Sequence, residues 1–231
     1  QDAVTPRTRA IVIVHPNNPT GYFTKVEELA SLNQICASHE IALIADEVFR
    51  DFALGDARPP SLAANTPALT FTVSGLSKIC GLPQMKASWM LLSGHPQQKA
   101  DALNRLEVIA DTYLSMNAPV QLAIPAFLGL RHNFQKQLMA RVRNNLKELD
   151  RLLEVKKVCG RLEMEGGWYA VLRVPATRTD EDLVIDLLAT RGVHVHPGYF
   201  YDFPSDGNLI VSLITPEPEF AEGIRRLLSM F

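Results

Sequence analysis

Four short apolar runs set the limits on what this chain can fold into: RAIVIVH at 9–15, IALIA at 41–45, LTFTV at 69–73 and WMLLS at 89–93. In most of them the apolar residues follow one another instead of alternating with polar ones, the mark of strands buried on both faces. Between the first two, Leu29, Leu32, Ile35 and Cys36 recur at helical spacing, and Thr24 with Glu27 reads as a capping box. Strands apolar on both faces, with a helix between them, need helices over the sheet. The first part of the chain is therefore expected to be α/β, with a mostly parallel sheet covered by helices.

The middle of the chain is helical in pattern, over 97–115 and 118–130. From Phe134 the apolar positions Leu138, Val142, Leu146, Leu149 and Leu153 recur every three or four residues, which predicts one long amphipathic helix between domains, over 131–154. The last third differs. LEMEGGWYAVLRVP (162–175) reads as a hairpin or bent strand, with Gly166–Gly167 allowing a bulge or close approach. A helix over 179–190, strands at GVHVHPG (192–198) and NLIVSLIT (208–215), and a final helix capped by Thr215 with Pro216 at its first position complete the pattern. The expected organisation is the later part of a large α/β domain over 1–130 and a small α+β domain over 131–231.

Composition narrows the function. The chain is 47% hydrophobic and 21% charged, with a net charge of -2 and no basic block, which argues against a nucleic-acid partner. No apolar run approaches the ~20 residues of a membrane span, and the start has no signal-peptide pattern. Cysteines 36, 80 and 159 are odd in number and match no metal-binding spacing. They read as reduced thiols, which implies a cytoplasmic protein without a bound metal. A catalytic Cys80 is disfavoured because no histidine neighbours it in sequence.

Open α/β sheets bind ligands outside the carboxyl ends of their parallel strands. Here the first strand runs into HPNNPTG and delivers Asn17 and Asn18, the second delivers Asp46 and Glu47, and the third delivers Ser74, Gly75, Ser77 and Lys78. Each has a plain explanation on its own. Asn-Pro and Thr-Gly are ordinary turn chemistry, Asp46 suits a helix cap before EVFRDF, and a lysine after a strand is commonly solvated. Together they place an amide, a carboxylate, hydroxyls and an amine at one edge. That set suits pyridoxal phosphate: a lysine holds the cofactor as a Schiff base, and a carboxylate keeps the pyridine nitrogen protonated. The Asn18 amide can donate to the ring oxygen, and the freed amine of Lys78 can move the substrate proton.

HPNNPTG, ADEVF and SGLSKICGLPQMKASW resemble the three central motifs of class I/II aminotransferases, which have the type I fold of pyridoxal-phosphate enzymes. They stand in the family's order. EGGWYAVLRVP, GVHVHPGYF and SLITPEPEFAEGIRRL resemble its carboxyl-terminal domain. The resemblance spans the whole chain but only the later part of a family member. It implies an aminotransferase that passes an amino group from an amino donor to an oxo-acid acceptor, as a homodimer when intact. It implies Lys78 as the Schiff-base lysine, Asp46 at the pyridine nitrogen, Asn18 at the ring oxygen, and Ser77 and Lys86 near the phosphate. It also implies a truncated fragment lacking the family's phosphate cradle, and so expected to bind cofactor poorly and to be inactive alone. A pyridoxal-phosphate lyase of the same fold, or a non-catalytic ligand-sensing domain of a regulator, remains open.

The departures from the family are equally specific. Phe49 stands where a tyrosine commonly donates to the ring oxygen. Gly75 replaces a hydroxyl residue three before the lysine, with Ser74 as an imperfect substitute. Lys86 replaces an arginine, exchanging a two-pronged phosphate grip for a point charge. Ile210 occupies the place, two before Ser212, of the arginine that clamps the substrate α-carboxylate. Arg173 and His196 are the nearest candidates to replace it, although a solvated strand arginine and a capped loop histidine are the simpler readings. Trp89 and Trp168 read as core, Glu47 as structural or solvent-facing, and Tyr199 and Tyr201 as loop residues that could line a substrate mouth.

Overall fold

The computed structural model describes residues 2–56 and 59–231. Packing divides the chain into two compact units, residues 1–17 with 23–135, and residues 18–22 with 136–231.

The first unit holds β1 (Ala10–Val14), α1 (Val26–His39), β2 (Ala42–Asp46), β3 (Thr70–Gly75), α2 (Leu76–Ile79), β4 (Ser88–Ser93), α3 (Pro96–Thr112) and the start of α4 (Ala118–Val155). The sheet order is β1-β2-β3-β4. β1, β2 and β3 are parallel, as expected, and β4 returns antiparallel beside β3. Ile11, Ile13, Leu43 and Ala45 point to one face, where Leu29, Ile35 and Cys36 of α1 pack against them with Leu62 and Ala68. At the amino end of that face, Asn65 donates to Asn33 Oδ1 (2.8 Å) and to Thr70 Oγ1 (2.8 Å), and Asn33 donates back (2.9 Å). This closed network satisfies the polar groups buried beside the apolar core. The opposite face is more open than the apolar sequence implied: Val12 is 66% exposed and Met90 44%.

Two helix boundaries differ from the sequence reading. The capping box sits one residue later than Thr24–Glu27, because Thr24 N–H donates to His15 Nδ1 (3.2 Å) and the carboxylate of Glu28 accepts from Lys25 N (2.8 Å). The helices expected at 118–130 and from 134 onward are one helix, α4, which runs through Pro125. Packing explains the continuity. Phe134 lies against Gly81, and Gln135 Nε2 donates to Asp51 Oδ2 (2.9 Å) and Ile79 O (3.1 Å), so the polar stretch between the two apolar patterns is anchored as helix.

The second unit holds the rest of α4, β5 (Gly160–Arg161), β6 (Tyr169–Arg173), α5 (Asp180–Arg191), β7 (His196–Pro197), β8 (Asn208–Ser212) and α6 (Glu217–Leu228). Its antiparallel sheet has the order β5-β6-β8-β7. Thr179 caps α5 by accepting from Asp182 N (3.1 Å). Phe220, Ile224, Leu227 and Leu228 form the buried stripe of α6. Thr215 is not its cap: the N-cap is Pro216, and the Thr215 hydroxyl donates to Ser212 O (3.2 Å). β7 is much shorter than the strand expected at 192–198. Pro197 has no N–H for the ladder, and Gly198 N donates instead to Asp180 Oδ2 (3.2 Å). Among the described residues no helix is long and apolar enough to cross a membrane.

Candidate functional site

The parallel strands of the first unit end level with one another. Asp46, the last residue of β2, pairs with Val14 on one side and Val73 on the other. His15 N donates to Asp46 O (2.8 Å), and Glu47 N donates to Val73 O (2.9 Å). The carboxylate of Asp46 is half-buried, and its Oδ1 accepts from Val48 N (2.9 Å). That bond closes a turn rather than capping the helix suggested by EVFRDF, for residues 48–51 form turns. Asp46 Oδ2 accepts no hydrogen bond from any described residue.

Beside it, β3 carries Ser74, whose Oγ is buried without a hydrogen-bond partner among the described residues. Gly75 follows because β4 leaves no room: a Cβ there would lie 2.7 Å from Ala87 O, the acceptor of the Leu76 N–H. This contact accounts for the missing hydroxyl three residues before the lysine. The chain then turns into α2, which presents Ser77 and Lys78, both half-buried. The ammonium of Lys78 makes no hydrogen bond or ion pair with any described residue.

α4 fixes this turn in place. Leu76 is fully buried in a cluster with Ala87, Val120, Trp89 and Phe127. Gln135 binds the carbonyl of Ile79, and Gly81 adopts φ 65 under the ring of Phe134, where a Cβ would meet ring carbons at 2.6–2.7 Å. Sequence reasoning singled out neither Gln135 nor this use of Gly81; a glutamine on a half-polar helix carries no signal of a partner 56 residues away. Cys80 donates to Phe127 O (3.5 Å), and burial raises its thiol pKa, both of which disfavour a nucleophile.

The remaining singled-out residues fall elsewhere. Glu47 is structural: only 7% exposed, it accepts from Leu62 N and Ser61 Oγ, both at 2.7 Å. Phe49 is buried and offers no donor. Lys86 is exposed and left-handed (φ 50, ψ 42), closing the turn after Met85. Asn18 is exposed and lies in segment 18–22, which packs with the second unit. There Gly21 O accepts from Glu165 N and Gly166 N, both at 3.0 Å, and Gly21 (φ 72) approaches too closely for a Cβ. HPNNPTG thus ends β1 with buried His15 and Pro16, and its peptide bonds before Pro16 and Pro19 are cis. The structure gathers Asp46, Ser74, Ser77 and Lys78 in the first unit and leaves Asn18 in the second.

No group of three or more metal-ligating side chains occurs among the described residues. A groove lined by Arg9, Ala42, Leu69, His95 and Arg105 lies at the opposite, amino ends of the strands and contains none of these groups. The donors at the carboxyl edge fit pyridoxal phosphate. Among the described residues, an acceptor carboxylate oxygen, an amine and a buried hydroxyl all lack partners there, and each has a counterpart on that cofactor.

The family model for "Aminotransferase class I and II" matches residues 1–227, so the chain belongs to that family. Among curated proteins it is similar to an alanine aminotransferase of Mycobacterium bovis, 29% identical over 98% of this chain and 54% of the relative. It is also similar to the glutamate-pyruvate aminotransferase AlaA of Escherichia coli, 30% identical over 87% of this chain and 51% of the relative. Among solved structures it resembles an Escherichia coli aminotransferase with a TM-score of 0.87 at 25% identity, covering 99% of this chain and 58% of that one. The chain thus spans about half the length of the curated relatives it matches.

Proposed function

We infer that this chain is the later part of a pyridoxal-phosphate aminotransferase. The observation that carries the reading is the pairing of a carboxylate and an amine at neighbouring strand ends, Asp46 on β2 and Lys78 just after β3, with free bonding capacity on both. When bound, pyridoxal phosphate supplies an aldehyde for the amine and a protonated ring that accepts electrons from the substrate Cα. Lys78 Nζ holds the cofactor before substrate arrives, and afterwards carries the proton to and from Cα. The Asp46 carboxylate holds a proton on the ring nitrogen; in a half-buried setting a nearby negative charge favours the protonated pyridinium. Ser74 and Ser77 supply hydroxyl donors, Lys86 a cation toward the phosphate, and Asn18 an amide for the ring oxygen. The small α+β domain of this reading corresponds to residues 131–231.

The relatives' names make glutamate and alanine the first amino donors to assay, with pyruvate as the oxo-acid acceptor. A cytoplasmic homodimer completes the reading, in keeping with the free cysteines. The test is the protein expressed from its complete reading frame. The expected result is a visible absorbance band that amino donor shifts and that Lys78→Ala abolishes. A borohydride-reducible adduct at this site that persisted in Lys78→Ala would overturn the assignment.

A further inference from the structure

One side chain of α4 bonds to both of the segments that carry Asp46 and Lys78. Gln135 Nε2 donates to Asp51 Oδ2 (2.9 Å) and to Ile79 O (3.1 Å). Asp51 is the last residue of the turns at 48–51 that follow Asp46. Ile79 is the neighbour of Lys78 and the last residue of α2. Gln135 and both its partners belong to the first unit.

The chain around Ile79 supplies no donor of its own for that carbonyl. The residue that would continue the helical ladder is Pro83, which has no N–H, and the Leu82 N–H donates to Leu76 O (3.2 Å) instead. A carboxamide nitrogen carries two hydrogens. Both partners of Gln135 are acceptors, so the amide can face them only with its nitrogen, and both of its donors are spent. The stretch from Asp46 to Asp51 is itself tight. Asp46 Oδ1 accepts from Val48 N (2.9 Å), Arg50 N donates to Glu47 O (3.0 Å) and Phe52 N to Phe49 O (2.9 Å), with Phe49 and Phe52 buried. A shift at Asp51 is therefore felt at Asp46, and a shift at Ile79 is felt at Lys78 through the intervening peptide bond.

We propose that Gln135 is a positioning residue: its one amide ties the backbone beside Lys78 to the turn beyond Asp46, and so sets how far the amine stands from the carboxylate. What those two groups do rests on the aminotransferase reading; the tie itself does not. Gln135 acts only through the segments it holds. A misplacement of about 1 Å between reacting groups costs on the order of a hundredfold in rate. The effect of the tie therefore falls on the proton transfer through Lys78, and hence on kcat, while binding of the amino donor is left to other residues.

Two measurements test this. The first is amide hydrogen exchange in the full chain without cofactor. Cys80 N and Leu82 N hold α2 through Leu76 O, and Phe52 N closes the turn beyond Asp46. Gln135→Met, of similar length but without donors, should speed exchange at these three amides about tenfold and leave the amides of β2 unchanged. Gln135→Lys, which keeps N–H donors on a long stem, should restore much of the protection. Unchanged exchange at Cys80 and Leu82 in a folded Gln135→Met overturns the proposal; if that variant does not fold, Asp51→Ala, which removes one end of the tie, decides by the same criterion. The second measurement uses protein from the complete reading frame. Gln135→Met should lower kcat per bound cofactor by about tenfold or more, with KM for the amino donor within about twofold, and Gln135→Lys should recover part of the loss. Unchanged kcat, or an effect on KM alone, overturns the proposal. Absence of the Lys78 absorbance band from the unsubstituted protein would instead refute the aminotransferase reading, so the two failures are distinguishable.

Discussion

Asp180 is 2% exposed, and its carboxylate organises the segment that carries His196 and Tyr201. Oδ1 accepts from Gly207 N (2.6 Å) and Asn208 N (3.3 Å), and Oδ2 from Gly198 N (3.2 Å). Asp180→Ala leaves three buried N–H groups without this acceptor. At about 1–3 kcal/mol for each orphaned donor, reduced for the two longer bonds, the cost is about 4 kcal/mol. For a chain of this size that corresponds to a fall in Tm of roughly 8–16 °C. Asp180→Asn keeps one acceptor oxygen and should lose about half as much. The assay is a thermal melt by circular dichroism, with amide exchange at Gly207 and Asn208 as the local readout. A melt of Asp180→Ala within about 2 °C of the parent, with both amides still protected, would show that these bonds do not hold the segment.

Gly75→Ser should destabilise the first unit by about 2 kcal/mol or more in a urea melt, because its Cβ would meet Ala87 O at 2.7 Å. Glu47→Ala should cost about 3 kcal/mol by the same measurement, orphaning Leu62 N and Ser61 Oγ. Cys36 and Cys159 are buried, and burial raises both thiol pKa values; alkylation by iodoacetamide should reach them only on unfolding. Tyr201 is stabilised in its neutral form, since its folded pKa is raised. Its contribution to stability is full below the unfolded value near ~10 and is lost as pH rises through the folded value, which a pH series of melts can follow.

The parallel strands and their polar ends were legible because both signals are local: unbroken apolar runs, then Asp46 and Lys78 a few residues on. The antiparallel course of β4 was not, because a strand's direction is set by its partner and not by its own residues. The shift of the capping box from Thr24 to Lys25 depended on His15, nine residues earlier, claiming the Thr24 N–H. The continuity of α4 depended on Gln135 reaching Asp51 and Ile79. Within the site, Gly75 read in sequence as a replaced hydroxyl residue, and the close approach of Ala87 and Ser88 leaves no room there for a Cβ. That His196 and not Arg173 pairs with Ile210 could not be read from sequence distance; the register of β7 on β8 shows it.

The central claim is that Asp46 and Lys78 form one catalytic pair. Asp46→Asn, in protein from the complete reading frame, tests it most directly, with transamination followed at saturating substrate. The amide preserves shape and can still accept from Val48 N, so the fold and melting temperature should change little. It cannot keep the ring nitrogen protonated, and turnover should fall roughly a thousandfold, about 4 kcal/mol of barrier. Near-normal turnover in Asp46→Asn would contradict the account and leave Asp46 as the cap of a turn after β2.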